Sequence, residues 1–160
     1  MLDKFALLGV PQGFDEPPGI DEKFRELSRK MHPDRVPPKQ RVKAAGQMTA
    51  LNDAYKTLKD PVRRAEHFLT LKGFSGEVKM SPEFLQQTLD DREELDEAKA
   101  SGKPLQDLAR SVREKRDQTL AQVREIVTKN GDLEKAAELL ARMKYYARYL
   151  DEVEGREAEV

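Results

Sequence analysis

Few side chains in this sequence could do covalent or metal chemistry. Cysteine is absent, and histidine occurs twice, as His32 and His67. Without cysteine there is no thiolate nucleophile, disulfide, zinc ribbon or protein-held iron–sulfur cluster, and two imidazoles cannot form a multi-histidine metal site. A serine hydrolase can be imagined, because Ser28 lies one helical turn before His32 and Asp34 follows. That segment lacks a glycine-rich elbow and an oxyanion hole, and a triad needs its base between the other two groups. No phosphate loop or dinucleotide fingerprint occurs. His67, in Ala65-Glu66-His67-Phe68, reads as a partly buried packing residue. The expectation is a protein that is not an enzyme and holds neither metal nor cofactor.

One short constellation remains, His32-Pro33-Asp34. On its own it has two readings. Proline biases its predecessor away from the helical region and Asp readily caps a turn, so the tripeptide could be a helix stop. It could equally be a presented recognition element. The elements around it are helical. Ile20, Phe24, Leu27 and Met31 recur at i, i+4, i+7 and i+11, so a helix runs from about Ile20 or Asp21 to Met31. At about 100° per residue, Arg25 and Arg29 fall opposite that stripe, with Lys23 and Lys30 flanking it. After Val36-Pro37-Pro38 a third helix reaches Leu58, with Ala44, Met48, Leu51, Tyr55 and Leu58 on one face. The pair makes an αα-hairpin. A short apolar helix, Leu2 to Leu8, precedes it, followed by a loop from Gly9 to Gly19. A fourth helix starts at Asp60-Pro61, an N-cap and N1 pair, and ends before Gly73, with Val62, Ala65 and Leu69 on its face.

Gly73 to Met80 reads as a joint between domains. Behind it, Ser81-Pro82 opens a helix to about Ala100, and a second runs from Pro104 to Thr128 on a stripe of Leu105, Leu108, Val112, Leu120, Val123 and Val127. Asn130-Gly131 stops that helix, and a third runs from about Asp132 into the 150s, burying Leu133, Ala136, Leu140, Met143 and Ala147. Short loops imply an antiparallel three-helix bundle. The fold expected is all-α. A helical hairpin with flanking helices occupies 1–74, a linker 75–80, the bundle 81–154 and a charged, fraying tail 155–160.

Composition agrees with solvent-bathed helices around a thin core. The 160 residues are 38% hydrophobic and 37% charged, and mean hydropathy is −0.79. No apolar run approaches a membrane span, and no secretory or organellar address is visible at Met1-Leu2-Asp3-Lys4-Phe5. Net charge is −1, but residues 1–75 hold 14 Lys and Arg against 10 Asp and Glu, whereas 76–160 hold 15 against 20. A +4 front and a −5 back suggest two surfaces with different partners. Neither half is basic enough to argue for nucleic acid.

The stretch Phe24-Arg25-Glu26-Leu27-Ser28-Arg29-Lys30-Met31-His32-Pro33-Asp34 closely resembles the J domain, as does Leu51-Asn52-Asp53-Ala54-Tyr55-Lys56-Thr57-Leu58. The resemblance implies that His32, Pro33 and Asp34, with Arg25, Arg29 and Lys30, dock on a DnaK-type chaperone and stimulate its ATP hydrolysis. Asp60-Pro61, Arg64-Ala65-Glu66, Leu69-Thr70-Leu71-Lys72-Gly73-Phe74 and Arg92-Glu93-Glu94-Leu95-Asp96-Glu97 resemble HscB, the J-type co-chaperone of iron–sulfur cluster assembly. The back half is then similar to that family's client-binding domain.

The residues support a client surface independently. Phe84, Thr88, Leu95 and Ala98 share one arc of their helix and would face the bundle, while Leu85 and Leu89 form a second stripe about 80–120° away. Either these leucines widen the core face, or they are a separate surface, which the neighbouring Gln86, Asp90, Glu93 and Glu97 favour. Tyr145 falls almost opposite the buried side of the last helix. The resemblance implies that Leu85, Gln86, Leu89, Asp90, Glu93, Glu97 and Tyr145 hold IscU, the cluster scaffold. Gln86 and Tyr145 depart from the apolar residue and the Phe that the family often carries, and there is no amino-terminal CxxC module. The expected protein is a monomeric co-chaperone in a bacterial cytoplasm that delivers IscU to an HscA- or DnaK-type ATPase. A J protein for another client and a helical scaffold outside chaperone action are the alternatives.

Overall fold

The computed structural model describes residues 2–74 and 78–155, which form two compact units, 1–75 and 76–160. Positions 75–77 of the expected linker and 156–160 of the expected tail lie outside the described residues. Every regular element among the described residues is helical.

The first unit contains α1 (Lys4–Leu8), α2 (Ile20–Met31), α3 (Arg41–Lys59) and α4 (Pro61–Leu71). α1 starts two residues later than its apolar run suggests, because Asp3 is its N-cap and accepts the Phe5 and Ala6 N–H groups. Gly9 closes it at φ 66, a left-handed position that suits glycine. Phe5, Leu8, Val10, Ile20, Leu51, Ala54 and Leu58 make the core, and Phe24, Leu27, Met31, Met48 and Tyr55 pack on it half-buried. α2 and α3 run antiparallel, since the start of α2 meets the end of α3. Tyr55 Oη donates to Asp21 Oδ1 at 2.5 Å, Lys59 Nζ lies 3.3 Å from the same oxygen, and the Phe24 and Tyr55 rings stack at 4.0 Å. The Tyr55 hydroxyl and the Lys59 ammonium hold the Asp21 carboxyl below its usual range.

α4 fastens α1 and the long loop to this hairpin. Asp60 accepts from Val62 and Arg63 N–H, and Pro61 sits at N1. Arg64 is buried and donates from Nε to the Phe14 carbonyl at 2.8 Å and from Nη1 to the Leu58 carbonyl at 2.7 Å. His67, half-buried, accepts the Lys4 N–H at Nε2 (3.0 Å) and stacks on Phe5.

The second unit contains α5 (Pro82–Ala100), α6 (Gln106–Thr128), α7 (Leu133–Ala141) and α8 (Met143–Val153). α6 starts two residues after Pro104, and the single last helix expected from Asp132 onward is two helices. Arg142 N–H turns back to Leu139 O at 3.2 Å and Tyr145 N–H to Arg142 O at 3.1 Å. These i to i−3 bonds tighten the turn and interrupt the α ladder. The inward stripe shifts with it. Met143, Tyr146 and Leu150 are buried, and Ala147, expected inside, is exposed. α7 and α8 follow one another across Arg142 and both pack against α6, so the unit keeps a three-helix layout.

Candidate functional site

Two surfaces, one on each unit, contain the residues that the sequence singles out. On the first, α2 ends where Pro33 requires, with His32 extended at φ −61, ψ 133. Residues Pro33–Arg35 form one 3-10 turn. His32 Nδ1 accepts the Asp34 backbone N–H at 3.2 Å, and the Arg35 N–H returns to the His32 carbonyl at 2.9 Å. A ring that accepts at Nδ1 carries its proton, when neutral, on Nε2. Asp34 Oδ2 stands 3.6 Å from Nδ1, on a side chain that is 86% exposed. The turn therefore presents an imidazole and a carboxylate to solvent in one fixed arrangement. Ser28 Oγ is buried without a hydrogen-bond partner among the described residues, so no Ser28–His32 pair forms.

Arg25, Arg29 and Lys30 are all exposed on the outer side of α2, as the helical wheel requires. Of the three, only Lys30 is paired with a carboxylate among the described residues. Lys30 Nζ is 3.1 Å from Glu26 Oε1, and Arg25 Nε donates to the Asp21 carbonyl at 3.4 Å. Lys30, Lys23 and Arg29 together hold the Glu26 carboxyl below its usual range.

On the second unit, α5 divides its side chains cleanly. Ser81 caps it by accepting the Phe84 N–H, and Phe84, Leu95 and Ala98 are buried. Leu85 and Leu89 are 42% and 64% exposed. Gln86, Asp90, Glu93 and Glu97 are exposed on one row, with Gln86 Nε2 donating to Asp90 Oδ1 at 3.0 Å. Elsewhere on the helix Asp91, Arg92, Asp96 and Lys99 are paired. Arg92 bridges to Glu152 and lies 3.5 Å from Asp96, and Lys115 lies 3.9 Å from Asp91. Asp90, Glu93 and Glu97 have no cation within 4 Å among the described residues, so the outer row keeps its negative charge.

Tyr145 is 37% exposed and does not stand apart from the bundle. Its ring meets the Phe84 ring edge-on at 5.6 Å, beside Tyr146 at 5.9 Å, and the Arg142 guanidinium lies over the same ring at 4.7 Å. The break at Arg142 produces this arrangement, which brings Tyr145 to the α5 surface. A cleft of about 110 Å³ beside it is lined by Thr88, Val112 and the three tyrosines Tyr145, Tyr146 and Tyr149, together with the charged Asp91, Arg92 and Arg148. Burial and the carboxylates of Asp91 and Glu94 push the Tyr149 hydroxyl up to about 12, so it remains a neutral donor. The Phe84–Arg142–Tyr146 cluster was not legible as a site support, because an arginine in a helix pattern reads as solvated surface. Its one signal was Phe84 on the inward arc.

Among the described residues no group of three His, Cys, Asp or Glu side chains is placed to hold a metal ion. No described helix is long and apolar enough to cross a membrane.

Comparison with known proteins bears on both surfaces. A model of the DnaJ domain matches residues 3–67, and a model described as the HSCB C-terminal oligomerisation domain matches residues 80–154. The co-chaperone protein HscB homolog of Shewanella amazonensis is 31% identical over 98% of this chain and 97% of its own. That of Aliivibrio fischeri is 34% identical over 99% of each. Among solved structures, chaperone HscB from Vibrio cholerae matches with a TM-score of 0.83 at 32% identity, over 96% of both chains. Human co-chaperone HscB, at 24% identity, shares the fold with a TM-score of 0.83 over all of this chain and 84% of its own.

Proposed function

We propose a function from one premise: this chain belongs to the HscB family of J-domain co-chaperones. It binds an IscU-type iron–sulfur scaffold on its second unit and presents that client to an HscA- or DnaK-type chaperone, whose ATP hydrolysis its first unit stimulates. The observation that carries this reading is the pair of exposed, unlike surfaces. One is a preorganised His32–Pro33–Asp34 turn beside a helix with outward cations, and the other is Leu85, Leu89 and Tyr145 beside an unpaired acidic row. An apolar centre with a polar edge is the anatomy of a protein interface.

The mechanism is coupling. Holding client and ATPase on one chain turns their meeting into an intramolecular event at high effective concentration. Residues Asp90, Glu93 and Glu97 attract a basic client face, while Leu85, Leu89 and Tyr145 supply apolar contact. ATP turnover belongs to the partner, and the chain itself carries no catalytic step. We place it in a bacterial cytoplasm as a monomer. Sedimentation of the pure protein tests the monomer.

A J protein for a different client is the second reading, favoured by the polar Gln86 and the hydroxyl of Tyr145 within the apolar patch. Calorimetric titration of the full chain with purified IscU separates the two. Saturable 1:1 binding that Leu89→Ala weakens supports IscU as client, whereas no heat at high concentration supports another.

A further inference from the structure

We infer that the cleft between α5, α6 and α8 is a subsite of the client surface. It takes one branched aliphatic side chain of the client, while the Tyr149 hydroxyl donates to a peptide carbonyl next to that side chain. The inference rests on the proposed client binding and assigns to it a pocket, a class of side chain and a hydrogen-bond donor.

The sequence of α5 leaves this cleft open. Phe84 and Leu95 are large and buried on its inward side. Between them the inward arc offers only Thr88, followed by the charged Asp91 and Arg92. The Thr88 hydroxyl donates to the Leu85 carbonyl at 2.7 Å, back along its own helix. Across the seam, α6 supplies Val112, which is buried, and α8 supplies the rings of Tyr145, Tyr146 and Tyr149. Packed helices leave few voids larger than a water molecule. A threonine where a larger apolar residue would close the seam keeps a receptor open.

Size and charge select the occupant. The cleft holds about 110 Å³. That is far below the roughly 300–1,000 Å³ of a metabolite or cofactor pocket. It is also below the roughly 150 Å³ of an apolar cavity that accommodates benzene. A leucine, isoleucine or valine side chain suits it, and an aromatic ring does not. The charges at its margin call for no charged ligand. Asp91 accepts from Gln87 Nε2 at 2.8 Å and lies 3.9 Å from Lys115 Nζ, and Arg92 bridges to Glu152. Arg148 is exposed to solvent.

Two further observations tie the cleft to the client. Tyr145 belongs both to the cleft and to the exposed apolar patch, so a segment lying on the patch passes the mouth of the cleft. The Tyr149 hydroxyl, which keeps its proton, has no hydrogen-bond partner among the described residues. An unpaired donor on the wall of an apolar cleft fits a peptide carbonyl, the acceptor that accompanies every residue of a client chain. The walls are helices already packed in the unit, so little ordering remains to be done on binding.

The test is calorimetric titration of the full chain with purified IscU, with thermal melts of the same preparations. Thr88→Leu fills the cleft and is expected to weaken binding about tenfold while the melting temperature holds or rises, as cavity filling does. A cleft that is only a packing gap would give the same melt with no loss of affinity. Tyr149→Phe keeps the ring and removes the donor, and is expected to weaken binding about fivefold with an unchanged melt. In spectra of IscU labelled at its leucine, isoleucine and valine methyls, one methyl resonance should move upfield against the tyrosine rings on binding. Thr88→Leu should abolish that shift. Leu89→Ala is the control for client binding itself. If Leu89→Ala weakens binding while Thr88→Leu and Tyr149→Phe titrate like the parent, the subsite is wrong and the client reading stands. If IscU does not bind the parent, the client reading fails, and the inference with it. If Thr88→Leu folds poorly, Tyr149→Phe and the methyl spectrum of the parent complex decide, and a spectrum with no shifted methyl overturns the proposal.

Discussion

Leu89→Ala separates a client anchor from a core residue more sharply than any other single change. Leu89 is 64% exposed and Leu85 42%. Fully burying a leucine is worth about 1.5–3 kcal/mol, so covering the exposed part of Leu89 with a partner is worth about 1–2 kcal/mol and that of Leu85 about 0.6–1.3 kcal/mol. Leu89→Ala should therefore weaken scaffold binding roughly five- to thirtyfold. Its cost to folding should stay under about 1 kcal/mol, against about 2–5 kcal/mol for a leucine truncated in a core. Tyr145 will behave differently, because its edge contact with Phe84 is an internal interaction worth about 0.5–1.5 kcal/mol. Tyr145→Ala should lower both stability and affinity, and Tyr145→Phe should keep the contact with Phe84 and spare both. Urea midpoints and calorimetric titration with IscU, measured on the same preparations, give the two axes. A Leu89→Ala protein that unfolds several kcal/mol more easily, or binds IscU as the parent does, refutes the reasoning.

Further outcomes concern the first unit and the acidic row. His32→Gln should abolish stimulation of the chaperone while moving stability by about 0.5–1 kcal/mol at most, since its ring is exposed, which a paired ATPase assay and thermal melt check. Arg64→Met removes donors from the Phe14 and Leu58 carbonyls and should cost about 2–4 kcal/mol in a urea titration. Burial, with Lys4 adding to it, depresses the proton affinity of His67, against a smaller opposing pull from Asp3. The unfolded chain then takes the proton first. This contribution to stability is complete above about pH 6.5 and is lost as pH falls through that value toward the depressed one. The urea midpoint should drop from about pH 7.5 to about pH 5.5 in the parent and drop less in His67→Gln. Glu93→Lys with Glu97→Lys should slow association with IscU in stopped flow far more than it speeds dissociation.

Much of this is legible in the sequence alone. Asp60-Pro61 and Ser81-Pro82 spell cap and first turn, and both helices start there. Pro33 fixes where α2 ends. The break at Arg142 was not legible, because Arg142 keeps helical angles and no Gly or Pro marks the site. From Met143 the stripe could continue at Tyr146 or Ala147, and the tightened turn selects Tyr146. Arg64 was missed for a different reason. A charged side chain in a helical pattern reads as surface until two unpaired carbonyls are seen to need it. Spacing places Arg25, Arg29 and Lys30 on the exposed side of α2, but it does not show that Glu26 pairs with Lys30 or that the Asp21 carbonyl accepts from Arg25. The choice between core and surface for Leu85 and Leu89 needed neighbours that lie far away in sequence.

The central claim is that one chain couples a client to an ATPase through two separate surfaces. Steady-state ATP hydrolysis by an HscA-type chaperone, measured with this chain, with IscU, and with both together, tests it most directly. The account expects stimulation by both together to exceed the sum of the separate effects. It expects His32→Gln to remove all stimulation by the chain, and Leu85→Ala with Leu89→Ala to remove only the excess that IscU brings. Purely additive stimulation, or an excess that survives the double leucine change, would contradict it.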